Sequence, residues 1–91
     1  VSMAAHGARR IARMVDNLSV ILGVEALCAS QGCEARAPQV TSPRQQRAIE
    51  AARGEVAGLN EDRYMADDLT KAAELIRRDT LSQAAGGDLT L

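Results

Sequence analysis

Ser2-Met3-Ala4-Ala5-His6-Gly7-Ala8-Arg9-Arg10-Ile11, continuing through Val20-Ile21-Leu22-Gly23-Val24 to Cys28-Ala29-Ser30-Gln31-Gly32, is the stretch that decides the fold of this chain. No proline, turn dipeptide or dense polar cluster breaks it, so it reads as one α-helix of about thirty residues. At ~1.5 Å per residue such a rod is roughly 45 Å long, longer than a small domain is wide. Ser2 is read as its N-cap, with the good helix formers Met3, Ala4 and Ala5 behind it.

Ala8, Ile11, Val15, Leu18 and Leu22 recur at spacings of three and four, a heptad-like stripe. Arg9, Arg10, Arg13, Asp16 and Asn17 lie opposite, so the first half of the helix is amphipathic. The second half is apolar in every direction, with Glu25 the one strongly polar residue between Leu18 and Ala29. A helix apolar all round must be surrounded by protein or by lipid. Ser19, Glu25 and Ser30 keep the run short of the ~20 apolar residues a membrane span needs. The expectation is a helix in the middle of a multi-helix core.

Working outward, the 91 residues make one domain at most. One Tyr and no Phe or Trp leave the bulky fillers of a small core almost absent. About fifty residues remain after the long helix, enough for two short amphipathic helices to cover one of its sides. The chain is therefore expected to be a piece of something larger or a subunit of an obligate helical assembly. A formal net charge of −1 and a single Lys argue against a nucleic-acid partner. The arginines near 9–13 and 44–53 are interleaved with or followed by acids and read as solvated helix faces. No signal peptide is visible, and a start at Val1 reads as a processing or cloning boundary. Cys28 and Cys33 have neither CxxC spacing nor disulfide geometry within a helix. Cys28 reads as a small core residue, and the cytoplasm is the expected compartment.

Gly32 is read as the C′ residue of the long helix, and residues 33–42 as a connector with Pro38 blocking helix continuation. Ser42-Pro43-Arg44-Gln45 is a helix start, with Ser42 as N-cap, Pro43 at N1 and Gln45 completing a capping box. The helix it opens, about 43–57, places Ile49, Ala52, Val56 and Leu59 on one face, with Gly54 weakening it and Gly58 and Asn60 ending it. Glu61-Asp62-Arg63-Tyr64-Met65 is a turn in which Tyr64 packs between helices. Asp67 or Asp68 caps a third helix, about 67–78, with Leu69, Ala72, Ala73 and Ile76 inward and Arg77-Arg78 at its negative end. Thr80 caps a short C-terminal turn, and Gly86-Gly87 frees the tail. The fold class is all-α. The layout is a long bundle helix (1–32), a connector (33–42), a helical hairpin (43–85) and a flexible tail (86–91).

No P-loop, nucleophile elbow, zinc motif or dinucleotide fingerprint occurs. His6, the only histidine, has no evident orienting partner and reads as a helix-surface or interface residue. Glu25, if buried in its apolar run, must be paired or protonated, and reads as one half of a structural salt bridge to an arginine of a neighbouring helix.

Val1-Ser2-Met3-Ala4-Ala5-His6-Gly7-Ala8-Arg9-Arg10 resembles the segment of bacterial histidine ammonia-lyases that directly follows their Glu-Asp-His tripeptide. Asp16-Asn17-Leu18, Gly23-Val24-Glu25-Ala26-Leu27, Ala29 and Gln31-Gly32 continue the likeness. Arg36-Ala37-Pro38, Thr41-Ser42-Pro43 and Glu61-Asp62-Arg63-Tyr64-Met65 with Asp68 follow in order, so the resemblance spans essentially the whole chain. It implies a C-terminal segment of a mostly helical homotetramer with a central bundle of long helices. The implied parent reaction converts L-histidine to trans-urocanate and ammonia, using the electrophile 4-methylidene-imidazol-5-one (MIO), formed from an internal Ala-Ser-Gly.

No such triad is present here: Ala29-Ser30 is followed by Gln31, and Gly87-Asp88-Leu89 only superficially resembles the residues after it. The family's active-site Glu belongs to the tripeptide preceding the Val1 position. No catalytic, cofactor-binding or metal-binding residue is therefore assigned. Ser2 and Met3 are expected to support that Glu, and Glu25 to be structural. The isolated chain is expected to be inactive, to self-associate through the long helix, and to bind neither nucleic acid nor membrane. The related phenylalanine and tyrosine lyases share the fold, and the Val-Ser-Met, Arg-Ala-Pro and Asp-Arg-Tyr pieces favour the histidine type. The competing reading is a stand-alone, non-enzymatic helical oligomerisation protein related to these lyases.

Overall fold

The computed structural model describes residues 3–59 and 62–87, and every regular element among them is helical. The order is α1 (Met3–Glu34), α2 (Pro43–Arg53), α3 (Ala66–Arg77) and α4 (Thr80–Ala84). The long uninterrupted helix is α1. It runs through Gly32 to Glu34, so Gly32 is an interior residue and the chain turns over 35–38. The N-cap expected at Ser2 lies outside the described residues.

Ser42 caps α2: its hydroxyl accepts from the backbone N–H of Gln45 at 3.3 Å, and Pro43 occupies the first turn. The Gln45 side chain accepts a hydrogen bond from the Thr41 hydroxyl. The helix ends at Arg53, four residues before the expected limit, and the N–H of its C-cap Gly54 closes the last turn onto Glu50 and Ala52. Val56 lies beyond the helix and is still buried, folded back over the end of α2.

Helix α3 starts at Ala66 behind Met65, with no side-chain cap. Asp67 and Asp68 sit inside its first turn, where their charge suits the helix dipole. Asp68 is engaged by Arg63 at 2.9 Å rather than by the helix backbone. Thr80 is likewise the first helical residue of α4, and the cap position falls to Asp79, held at φ 56°. Of the Gly86-Gly87 tail hinge, both glycines have positive φ, and residues 88–91 lie outside the described residues.

Packing is dominated by α3 lying along α1, with α2 meeting α4. The buried apolar residues are Ala52, Val56, Ala72, Ala73 and Leu75. On α1 the buried positions are Ser19, Gly23 and Ser30, a stripe of small side chains rather than the Leu/Ile/Val stripe. Small residues let the two helix backbones approach closely. The Ser19 and Ser30 hydroxyls are satisfied within α1, donating to the carbonyls of Val15 and Ala26 at 3.0 and 2.8 Å.

The segment between α2 and α3 is fastened by polar side chains. Gln31 of α1 pairs with both backbone groups of Leu59, at 3.2 Å from its N–H and 3.0 Å from its carbonyl. Arg53 joins Glu34, Gln31 and the Val56 carbonyl. Arg63 donates to the carbonyls of Ala57 and Gly58 at 2.6 and 2.9 Å. Tyr64 does not pack between helices: it is 85% exposed, because the turn is held by Arg63 and needs no aromatic wedge.

Candidate functional site

The described residues contain no cluster of three His, Cys, Asp or Glu side chains placed to hold a metal ion. Their only buried polar side chains are Ser19 and Ser30, both hydrogen-bonded within α1. No buried side-chain N or O among them lacks a partner. The feature that stands out is the face of α1 turned away from α3. Ile11, Met14, Val15, Leu18, Ile21 and Leu22 are each between 39% and 61% exposed and form a continuous apolar band.

Surface area measures how unusual this is. A compact monomer of this mass exposes about 5,100 Å², whereas this chain exposes 7041 Å². The excess, roughly 1,900 Å², goes with an elongated molecule whose shorter helices leave much of α1 uncovered. The radius of gyration, 15.7 Å, also exceeds the ~12 Å of a compact 91-residue domain. The apolar band on α1 is the part of that surface with the character of an interaction face.

The residues singled out in the sequence fall around this face. Met3 is 82% exposed at the start of α1, and Ser2 lies outside the described residues. His6 is exposed, five residues before the first residue of the apolar band. Glu25 is exposed and makes no ion pair with any described residue, so within this chain it is neither buried nor bridged to an arginine. Cys28 and Cys33 are free thiols and both are exposed, so Cys28 is not a core residue. Cys28 instead borders an apolar hollow of about 370 Å³, lined with Leu27, Gln31, Val56, Leu59 and Met65 among others. Sequence reasoning missed this hollow, because it forms where the segment after α2 folds back over α1. The spacing of Leu27, Cys28 and Gln31 on one side of α1 was its only signal.

At the other end of the molecule the charged side chains are structural. Arg77 meets Asp16 of α1 at 3.3 Å, and Arg78 forks onto both oxygens of Glu55 at 3.0 and 2.9 Å. Arg47 donates to the carbonyls of Ala84 and Ala85, satisfying the end of α4. No helix among the described residues is long and apolar enough to cross a membrane.

No solved structure was found to match the chain. A histidine ammonia-lyase from Bradyrhizobium diazoefficiens is 55% identical over 89 residues, which is 98% of this chain and 17% of that relative. The chain thus spans about a sixth of the length of the curated relative it matches. The family model for aromatic amino acid lyases matches residues 1–54, covering α1, the connector and α2. This chain belongs to the aromatic amino acid lyase family.

Proposed function

We propose that this chain is the C-terminal helical segment of a histidine ammonia-lyase acting in histidine breakdown in the cytoplasm. The parent enzyme would eliminate ammonia from L-histidine to give trans-urocanate. Within it, α1 is a strut: its apolar face joins the core of a homotetramer, and its N-terminal end, at Ser2 and Met3, supports the active-site Glu just ahead of it. The observation that carries this reading is the uncovered apolar band of α1, in a chain so similar to a histidine ammonia-lyase along nearly its full length.

The residues present do not fit the MIO electrophile of this family. The chain has no Ala-Ser-Gly, and its nearest approach, Ala29-Ser30-Gln31, is helical with the Ser30 hydroxyl buried and bonded to Ala26. The segment supplies support and assembly, and by itself is inactive.

Sequencing the gene upstream of the Val1 codon tests this. An open frame encoding Glu-Asp-His directly before Val1 and an Ala-Ser-Gly far upstream is expected, with urocanate formed by the purified product. A start codon at or near Val1 overturns the catalytic assignment and leaves a stand-alone helical oligomerisation protein.

A further inference from the structure

The N-terminal part of α1 projects past the end of α3. Arg77, the last helical residue of α3, meets α1 at Asp16, and every residue from Met3 to Val15 except Gly7 is exposed. On this projecting part His6, Arg9, Arg10 and Arg13 fall within a sector of about 100°, at 3.6 residues per turn. The sector lies between the apolar band and the side that packs on α3, so it is a third face of the helix. Arg9, Arg10 and Arg13 make no ion pair with any described residue. The sequence alone suggests a solvated face balanced by the acids that follow, but the nearest of these, Asp16, is engaged by Arg77 at 3.3 Å.

Such a row works against the helix that carries it. Arg9 and Arg13 are four apart and Arg10 and Arg13 three apart, spacings at which like charges weaken a helix. Guanidinium groups in that arrangement are the complement of carboxylates at the same spacing on a helix lying alongside. A second copy of this chain offers no such row among its described residues. The acidic side chains that make no ion pair or hydrogen bond there are Glu25, Glu50, Asp62 and Asp67. They stand on α1, on α2, in the loop and on α3, so no two of them share a helix. The chain covers 17% of the histidine ammonia-lyase it matches, which leaves most of such a polypeptide to supply the complement.

We propose that the arginine face of α1, at Arg9, Arg10 and Arg13, docks an acidic helix from the remainder of the polypeptide, one with carboxylates three or four residues apart. This rests on the reading of the chain as one segment of a longer protein. It uses a face of α1 separate from the apolar band, and it states the chemistry of what covers that face.

The test uses the full polypeptide in its native assembly, carrying Arg9→Lys, Arg10→Lys and Arg13→Lys together. Lysine keeps the charge and adds a primary amine, which a carbodiimide couples to any carboxylate in contact with it. Peptide mass spectrometry then reads which residues are joined. At least two of the three positions are expected to link to carboxylates three or four residues apart in one segment outside residues 1–91. Links to acids within residues 1–91, which make a second copy the occupant, links to scattered acids, or no links overturn the proposal.

Arg9→Glu gives an independent answer, because a bare face and a docked one respond with opposite signs. On a bare helix the new carboxylate pairs with Arg13 four residues on and slows amide exchange in α1. Against an acidic helix it repels the occupant, and the amides of residues 8–13 are expected to exchange about fivefold faster or more while those in mid-α3 keep their rates. Slower or unchanged exchange overturns the proposal. A polypeptide that forms urocanate yet shows none of these links loses the docked helix alone. A gene that begins at the Val1 codon removes the remainder of the chain, and both readings fall.

Discussion

Gly23 of α1 lies against the backbone of Ala72 in α3 so closely that a Cβ on it would sit 2.8 Å from the Ala72 carbonyl carbon and 2.8 Å from the Ala73 nitrogen. Backbone atoms cannot swing aside as a side chain can, so any larger residue must part the two helices. Gly23→Ala gains up to ~1 kcal/mol of helix propensity, but overpacking costs about 1–3 kcal/mol. The net expectation is destabilisation, read as a lower urea midpoint. Gly32→Ala is the control, since a Cβ there meets nothing within 4 Å. It is expected to stabilise by up to ~1 kcal/mol. Equal stabilisation by both substitutions sinks the close-contact account.

Gln31 holds the Leu59 backbone from both sides while its oxygen also receives Arg53. Gln31→Leu removes these bonds and leaves the polar groups of the 57–59 segment to water. Because the site is exposed, the expected loss is about 1 kcal/mol rather than the full sum of three bonds. The sharper readout is local: the Leu59 amide should exchange its hydrogen at least several-fold faster, while amides in mid-α3 keep their rates. Unchanged exchange at Leu59 would show that the carboxamide is not what holds the segment.

How much of this was legible in the sequence depended on whether the deciding signal was local. The long helix was, because nothing between Met3 and Glu34 breaks one, and so was the start of α2, because Ser42-Pro43 is a cap in itself. Which side of α1 its own chain covers was not. The Leu18 stripe is the more hydrophobic one, yet α3 lies on Ser19, Gly23 and Ser30, since close backbone packing selects small residues. That preference was readable as small residues at helical spacing, but size carries less weight than hydropathy in a periodicity argument. Thr80, Tyr64 and Cys28 were misplaced for a common reason. Each one's environment is made by a segment distant in sequence or by a turn whose geometry no dipeptide announces. Family likeness supplied the family but no catalytic residue, and an apolar helix face says nothing about which partner covers it.

Arg63 binds two carbonyls of the loop after α2 and the carboxylate of Asp68 in α3, so it spans a gap that neither helix closes by packing. A lysine keeps the charge but cannot fork to three acceptors. Arg63→Lys is therefore expected to cost about 1–2 kcal/mol, nearly as much as Arg63→Ala, while Asp68→Asn costs under ~1 kcal/mol because the carbonyl bonds survive. Thermal unfolding of the three variants checks this. A lysine variant as stable as the parent would assign the role to charge alone.

Asp79 occupies the left-handed region at φ 56°, between the end of α3 and the start of α4. An L-residue there costs roughly 1 kcal/mol or more, which glycine does not. Its side chain gives back one contact, accepting from Gln83 at 3.2 Å. Asp79→Gly is expected to raise the melting temperature slightly, and Asp79→Val to lower it, since branching at Cβ worsens the same clash. The opposite order would mean that the Gln83 contact outweighs the backbone term.

Leu22 tests the proposed role of α1 in the parent enzyme. It is 39% exposed, and its neighbour one turn back on the free face is Leu18. A charge placed there does little to the fold of this chain, because the side chain is not part of its core. In an assembled bundle the same aspartate is desolvated without a partner, which costs several kcal/mol per copy. Leu22→Asp in the full polypeptide is thus expected to lower both the native mass and the ammonia-lyase activity while leaving the helical circular dichroism of the segment intact. On the proposed reading, activity follows mass because α1 would carry both the assembly face and the support of the active-site Glu, so loosening the bundle would move the Glu. Unchanged mass and activity would remove α1 from the core of the enzyme.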